Sequence, residues 1–239
     1  MPKLTWNTAG TRLYETGVDH GVLYLTTDEV GAEKYNSAHA WNGLTAVNES
    51  PSGAEPSPLY ADNIKYINLM SVEELGATIE AYTYPDAFAV CDGTYAVPAN
   101  DALAGALSGI NIGQQSRKTF GLSYRTRVGN DEKADGFGYK LHLLYEALAA
   151  PSEKAYATVN DSPEAITFSW SVTTTALPFG DAHPELKPTS LITIDSTKST
   201  KTFMDSLEAI LYGDETNDGR LPEPEEILSL YAADAPVGP

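Results

Sequence analysis

Apolar and polar residues alternate along several short segments of this chain, and this period of two constrains the fold more than any other feature. In the clearest segment, Ile166–Thr173, the side chains of Phe168, Trp170 and Val172 fall on one side and Ser or Thr side chains on the other. The other strand-like segments are Gly21–Thr26, Ile64–Met70, Leu75–Tyr84, Lys118–Arg127, Tyr139–Tyr145 and Ser190–Asp195. Strands with one buried face pack as a sandwich or close as a barrel, so the sequence predicts a mainly β fold.

The balance of charges excludes one class of function. Lys and Arg together number 15 against 33 Asp and Glu, which gives a formal net charge of −18. A protein that binds duplex DNA draws much of its affinity from neutralising phosphates with cations, so we expect no such binding here. The single cysteine, Cys91, rules out an internal disulfide. The sequence has no signal peptide and no apolar stretch of bilayer length, so we expect a soluble protein of the intracellular type.

One helix is predicted near the C-terminal end of the sequence. Thr200 can cap a helix from Lys201 to Tyr212 that Gly213 closes, and the apolar residues of this segment recur at helical spacing. We expect this helix to flank a β domain that spans residues 1–212. The remaining residues, 213–239, are acidic and rich in proline, which predicts a tail or linker.

The β domain is predicted to carry a loop insertion at about residues 48–63. Asn48–Pro58 contains three prolines and shows no periodicity. Compact domains rarely keep so long a loop without structure unless it makes a contact, so we expect this segment to bind something.

No arrangement of residues in the sequence points to catalysis or to a cofactor. The four histidines, which have no Cys, His or carboxylate at metal-ligand spacing, are His20, His39, His142 and His183. Cys91 has no cation next to it in sequence and is interpreted as a structural thiol. We expect neither an enzyme nor a bound cofactor, and a hydrolase site assembled from distant residues stays an open alternative.

The segment Asp214–Glu225 partly fits a twelve-residue calcium loop. The candidate metal ligands, at positions one, three, five and twelve, are Asp214, Thr216, Asp218 and Glu225. Pro222 and Pro224 stand where the exit helix of such a loop begins, and no second loop accompanies it. An acidic, solvated turn is the favoured interpretation, and weak calcium binding is the alternative.

Eight short segments of the chain form a set whose order identifies a family. These segments are Trp6–Gly10, Tyr14–Tyr24, Ala40–Glu49, Ala61–Tyr66, Ala77–Pro85, Gly113–Leu122, Asn160–Pro163 and Leu207–Gly213. They extend over most of the chain up to about Gly213. In these segments the chain resembles the major tail proteins that build the tail tube of long, non-contractile-tailed bacteriophages.

The resemblance implies a β-sandwich of tail-tube type with a flanking helix and long inter-subunit loops. It implies that six copies form a ring, and that rings stack into a tube through which the genome passes without specific binding. The family has no catalytic residues and no cofactor. The implied partners are further copies of the chain and the tape-measure, tail-terminator and distal-tail proteins, with no membrane. The implied location is the tail of the virion, after assembly in the host cytoplasm.

The resemblance also implies a loop that reaches the neighbouring ring, and residues 48–63 occupy its place. The residues expected to contact that ring are Asn48, Glu49, Ser50, Pro51, Glu55, Pro58, Tyr60 and Asp62. Phosphates bind to basic walls and are repelled by acidic ones, within about 8 Å at physiological salt. We therefore expect polar residues that face outward from the inner sheet to give the bore an acidic wall.

A second interpretation is a carbohydrate- or surface-binding sandwich. The aromatic residues that could stack on sugar rings are Trp41, Tyr60, Tyr82 and Tyr84. Such residues more often fill a core or a subunit interface. Glycan binding by the monomer would favour this interpretation, whereas spontaneous filaments would favour a tail protein.

Overall fold

The computed structural model describes residues 4–27, 34–97, 109–159, 161, 164–180 and 183–234. Its elements, in chain order, are β1 (Leu13–Thr26), β2 (Tyr35–Trp41), β3 (Leu44–Gly53), β4 (Pro56–Ala61), β5 (Ile64–Met70), β6 (Glu73–Ala81), a short 3₁₀ helix (Asp86–Val90), β7 (Tyr95–Ala96), β8 (Asn111–Ile112), β9 (Phe120–Asn130), β10 (Ala134–Ala149), β11 (Phe168–Thr174), β12 (Leu191–Asp195), α1 (Lys201–Tyr212) and α2 (Pro224–Asp234). Most of the segment Asn160–Pro163, and residues 235–239 of the predicted tail, lie outside the described ranges.

The predicted mainly β fold is confirmed, and each of the seven alternating segments overlaps a strand. Eight strands form one antiparallel sheet in the order β2-β1-β9-β10-β11-β6-β3, and β12 also pairs with β10. The sheet has a first half, which contains β2, β1, β9 and β12, and a second half, which contains β11, β6 and β3. The long strand β10 belongs to both halves. Leu144 is the last residue of β10 to pair with β12, and Ala147 is the first to pair with β11. A register shift between these two residues lets β10 pass from one half to the other.

The two halves of the sheet face each other with their strands crossed. Leu44, at the start of β3, lies against Gly21 of β1. Glu49, five residues later, contacts Tyr124 of β9 and His142 of β10. Tyr124 and His142 are directly paired, and Gly21 lies at a similar level of the sheet. β3 therefore runs across β1, β9 and β10, which is the crossed arrangement of a β-sandwich.

An aromatic core fills the space between the two halves. The ring of Phe88, in the 3₁₀ helix, lies 4.7 Å from Trp41 and 5.1 Å from Trp170, measured between centroids. Phe120 packs against the same ring at 5.4 Å. All four side chains are buried, and the burial of their apolar surface stabilises the packing of the two halves.

The predicted helix over residues 201–212 is confirmed as α1, and it covers the outer face of the first half of the sheet. The Thr200 side chain accepts a hydrogen bond from the amide of Phe203, and Gly213 ends the helix with a φ of +80°. Leu207 and Leu211 pack on Tyr24 and other strand residues in a second core. In the described part of the chain, no helix is both long and apolar enough to cross a bilayer.

Residues 213–234, predicted as part of a tail or linker, instead pack against the domain. Leu221 and Ile227 are buried in the second core, and α2 packs beside α1. The hydroxyl of Tyr145 donates a hydrogen bond to the carbonyl of Pro222 at 2.9 Å. Pro224 begins α2, and acidic residues fill its first turn. Proline and acidic residues suggested a linker, but both are also favoured in the first turn of a helix, and that is where they lie here.

The prediction of a loop at residues 48–63 is also wrong. This segment contains the second half of β3, all of β4 and the turn that leads into β5. Pro51 is tolerated because, among the described strands, β3 pairs with β6 on one edge and with none on the other. Asp62 and Asn63 both have positive φ and make a two-residue turn between β4 and β5. The turn and the free edge explain why a proline-rich segment forms strands.

Candidate assembly surfaces

A two-stranded ribbon projects from the second half of the sheet. β3 and β6 are paired as far as Gly53 and Glu73, and between these residues β4 pairs with β5. We call residues Ala54–Val72 the arm. Except for half-buried Ala54, every residue of the arm is exposed. The arm therefore extends beyond the body of the domain.

The arm is apolar although it is exposed. Its large apolar residues, with exposed fractions between 48% and 83%, are Leu59, Tyr60, Ile64, Tyr66, Ile67, Leu69, Met70 and Val72. Leu59 is paired directly with Ile67 on one face. An isolated two-stranded ribbon is marginally stable in water, and an apolar patch of this kind marks a contact surface.

Glu49 fixes the root of the arm to the first half of the sheet. Its carboxylate oxygen Oε1 accepts a hydrogen bond from the hydroxyl of Tyr124, and lies 3.2 Å from His142 Nδ1. The rings of Tyr124 and His142 are stacked, with centroids 4.7 Å apart. The hydrogen bond with His142 lowers the pKa of Glu49, and the bond from Tyr124 adds to this effect against the opposing effect of burial.

The eight residues predicted as inter-ring contacts lie in four places. Glu49 points into the sandwich, whereas Asn48 and Ser50 point outward from β3. Pro51 lies on the edge strand between the domain and the arm. Four residues lie on the arm itself, namely Glu55, Pro58, Tyr60 and Asp62.

The outer face of the second half of the sheet is made of small and polar residues. Three directly paired rows form it: Ser169–Glu80–Ala46, Ser171–Thr78–Asn48 and Thr173–Gly76–Ser50. The alternate residues of the same strands, such as Trp170 and Ile79, are buried in the core. We call these nine residues the small-polar face. It contains one carboxylate, from Glu80, and no Lys or Arg.

The candidate calcium ligands are not brought together around a common point in the described residues. The carboxylate of exposed Asp214 accepts hydrogen bonds from Thr216 and Asn217. These bonds, those from Thr216 above all, hold the pKa of Asp214 well below its usual value. Glu225 lies in α2, with its carboxylate over Gly180. Across the described ranges, no three His, Cys, Asp or Glu side chains are grouped to hold a metal ion.

The four aromatic residues considered for sugar stacking do not form one platform. Trp41 is buried in the aromatic core, and half-buried Tyr84 packs at right angles against Phe168 and Trp170. Tyr82 is exposed near the end of β6, whereas Tyr60 is exposed on the arm. The core and the arm thus account for three of these residues.

Cys91 and His142 are both placed by packing. Cys91 is buried next to the aromatic core, and burial raises the pKa of its thiol to about 12. His142 has a side chain only 12% exposed because it lies beneath the arm root. The imidazole of His142 lies between two polar groups, with Nδ1 3.2 Å from Glu49 Oε1 and Nε2 3.0 Å from the Thr126 hydroxyl.

One cluster had no signal in the sequence. Asp92, Arg117 and Lys154 meet beside Trp170, although Arg117 is 25 positions from Asp92 and Lys154 is 62 positions from it. No motif links these positions, and only the crossing of β9, β10 and β11 brings them together. They line a cleft at the end of the sheet where β9 begins.

Comparison with known proteins yields only distant structural likenesses. No protein-family model matches the chain, and no curated protein matches it in sequence. Among solved structures, a chain of the anti-feeding prophage (AFP) baseplate, determined by cryo-EM with 6-fold symmetrisation, is 8% identical with a TM-score of 0.36. The match covers 82% of this chain and 99% of that one. What this chain does has therefore to be argued from its own residues.

Proposed function

We propose that this chain is a structural protein of a bacteriophage virion, whose copies form six-membered rings that stack into the tail tube. The sequence resemblance to major tail proteins motivates the proposal. The observation that carries it is the arm, an apolar ribbon that leaves the domain at a paired root and remains exposed along its length. Neither catalysis nor a cofactor is part of this function.

The arm requires a partner, and a further copy of the chain is the simplest one. Apolar side chains such as Tyr66 and Met70, exposed at 72% and 69%, gain stability only when another surface covers them. A contact between different surfaces of identical copies closes into a ring or continues into a filament. We assign ring closure to contacts around the body of the domain and stacking of rings to the arm.

The small-polar face suits the wall of a channel for DNA. Ser and Thr hydroxyls keep such a wall hydrated, and the carboxylate of Glu80 repels phosphate. The absence of Lys and Arg from its nine residues removes the contacts that would retain the genome. We therefore assign this face to the bore and expect DNA to pass without being bound. The tape-measure, tail-terminator and distal-tail proteins would then meet the ends of the tube, with assembly in the host cytoplasm before incorporation in the virion.

Deletion of the arm tests the proposal. A variant in which Asn-Gly replaces Ala54–Val72 joins Gly53 to Glu73, which are already paired. We expect wild-type protein at high concentration to form rings and tubes in electron micrographs, and the deletion variant to form no tubes. All three tryptophans lie outside the arm, so their fluorescence reports whether the variant remains folded. Normal tubes from the folded variant, or only monomers from the wild type, would contradict the proposal.

A further inference from the structure

The cleft at the start of β9 combines two cations with polar groups of two loops. It has a volume of about 500 Å³ and lies between Gly113–Arg117 on one side and Pro151–Lys154 on the other. The backbone amide of Gln115 donates to the carbonyl of Gly93 at 2.9 Å, which ties the first loop to the turn after the 3₁₀ helix. The walls of the cleft are thus held by the fold.

Asp92 positions both cations, Lys154 through its carboxylate and Arg117 through its backbone carbonyl. Only 8% of Asp92 is exposed. One carboxylate oxygen accepts the indole N–H of Trp170 at 3.1 Å, and the other is bound by the ammonium group of Lys154. Arg117 reaches the backbone carbonyl of Asp92 instead, with Nη2 at 3.2 Å. The guanidinium is therefore not paired with this carboxylate.

Arg117 lines the cleft, and one of its donors has no partner among the described residues. Its Nε is buried and has no hydrogen-bond partner among the residues that the structure describes. Gly93 leaves room for the guanidinium, because a Cβ on Gly93 would lie 2.9 Å from Arg117 Cζ. A buried N–H without an acceptor is unfavourable, so the site gains when an acceptor enters.

We propose that the cleft binds a carboxylate side chain from a second copy of the chain. The planar guanidinium matches a carboxylate with two parallel hydrogen bonds, and Lys154 contributes a second positive charge to the cleft wall. A second copy offers many such groups, since the chain has 33 Asp and Glu. Duplex DNA is disfavoured as the occupant because the net charge of −18 repels it. This inference rests on the proposed function, in which copies of the chain meet.

Charge-matched variants test the contact in the assembling protein. Arg117→Gln and Lys187→Gln each remove one positive charge, and Lys187 is an exposed residue of the β11–β12 connection. We expect Arg117→Gln to raise the concentration at half-assembly by about tenfold or more in sedimentation velocity. Arg117→Lys should have an intermediate effect, since it keeps the positive charge but loses the planar guanidinium that makes two parallel hydrogen bonds. Equal behaviour of the Gln variants, both folded by tryptophan fluorescence, would overturn the proposal.

A titration of the wild-type protein tests the carboxylate specificity without assembly. The Nε–H signal of Arg117 in a nitrogen-15 spectrum is assigned by its loss in Arg117→Lys. We expect sodium acetate to shift this signal saturably, and sodium chloride at equal ionic strength to leave it unchanged. No response to acetate, or a larger response to inorganic phosphate, would overturn the carboxylate assignment. If the wild type never assembles, the proposed function and the second copy as occupant both fail, and this titration still decides the specificity.

Discussion

The carboxylate of Glu49 on β3 accepts a hydrogen bond from the hydroxyl of Tyr124 on β9, 75 positions away in the sequence. Around this bond, His142 stacks on Tyr124 and lies within 3.0 Å of the Thr126 hydroxyl through Nε2. Glu49 lies four residues before the end of β3, where the arm begins. The group therefore fixes the direction in which the arm leaves the sandwich.

Replacement of Glu49 by Gln should make the protein less stable at neutral pH but not in acid. Because folding lowers the pKa of Glu49 from its ordinary 4.5, the folded state binds fewer protons than the unfolded state between the two values. The stability it contributes is complete above the ordinary pKa and is lost as the pH falls through the lowered one. We expect a loss of about 1 kcal/mol at neutral pH in urea denaturation, since the group is partly exposed, and this loss should disappear in acid once the pH is below the lowered pKa.

Glu55→Gln is the matched control for this measurement, since Glu55 is exposed on the arm. It should leave the free energy of unfolding unchanged at either pH. If the difference in free energy of unfolding between Glu49→Gln and the wild type stays constant as the pH falls, ionisation of the carboxylate is not the cause of the loss.

The apolar surface of the arm should matter for assembly and not for folding. Leu59 and Ile67 are paired on one face of the arm, and each is 48% exposed. We expect the double variant Leu59→Ser/Ile67→Thr to keep its free energy of unfolding within about 1 kcal/mol, because neither side chain packs in the core. Tube formation should be abolished in electron micrographs. A large drop in melting temperature would instead mean that these residues stabilise their own domain.

The strands could be predicted from the sequence wherever one face is buried. Ile166–Thr173 alternates because Trp170 and Val172 enter the core while Ser169 and Ser171 face outward. The same rule fails for β3 and β4, which have a free edge and tolerate proline. The periodicity of the arm segment Ile64–Met70 predicted its strand correctly, but not that both faces would be exposed.

The polar clusters could not be predicted because they depend on crossings of distant strands. Glu49 was placed in a contact loop by the resemblance, and nothing in its local sequence indicates the inward position opposite Tyr124. Arg117 and Lys154 likewise lie in separate loops that meet only through Asp92. By contrast, the helix cap at Thr200 is local chemistry and was predicted from a few adjacent residues.

Truncation should show that the residues after α1 belong to the domain. A chain that ends at Gly213 loses the buried side chains of Leu221 and Ile227 and the hydrogen bond from Tyr145 to Pro222. Burial of each apolar side chain is worth about 1.5–3 kcal/mol, so we expect a loss of at least about 3 kcal/mol in urea denaturation. A chain that ends at Asp234 keeps these contacts and serves as the control. Equal stability of the two truncated chains would restore the interpretation as a tail.

The thiol of Cys91 should react only when the protein unfolds. Burial raises its pKa to about 12, so the reactive thiolate is scarce at neutral pH and the sulfur is also inaccessible. We expect modification by a thiol reagent to follow the unfolding transition in urea. Reaction in native buffer at the rate of a free cysteine would show that the aromatic core opens locally beside Cys91.

Positive charges on the small-polar face should convert a passage for DNA into a binding surface. Ser169 and Ser171 are exposed on β11 and point away from Trp170, so Lys at both positions leaves the core unchanged. If this face lines the bore, tubes of the double Lys variant should retain duplex DNA in co-sedimentation, with an affinity that falls steeply as salt is raised. The double variant Thr202→Lys/Ser206→Lys, at exposed positions of α1, adds the same charge away from this face and gives the comparison. Equal retention by both variants, or retention by neither once tubes have formed, would remove this face from the bore.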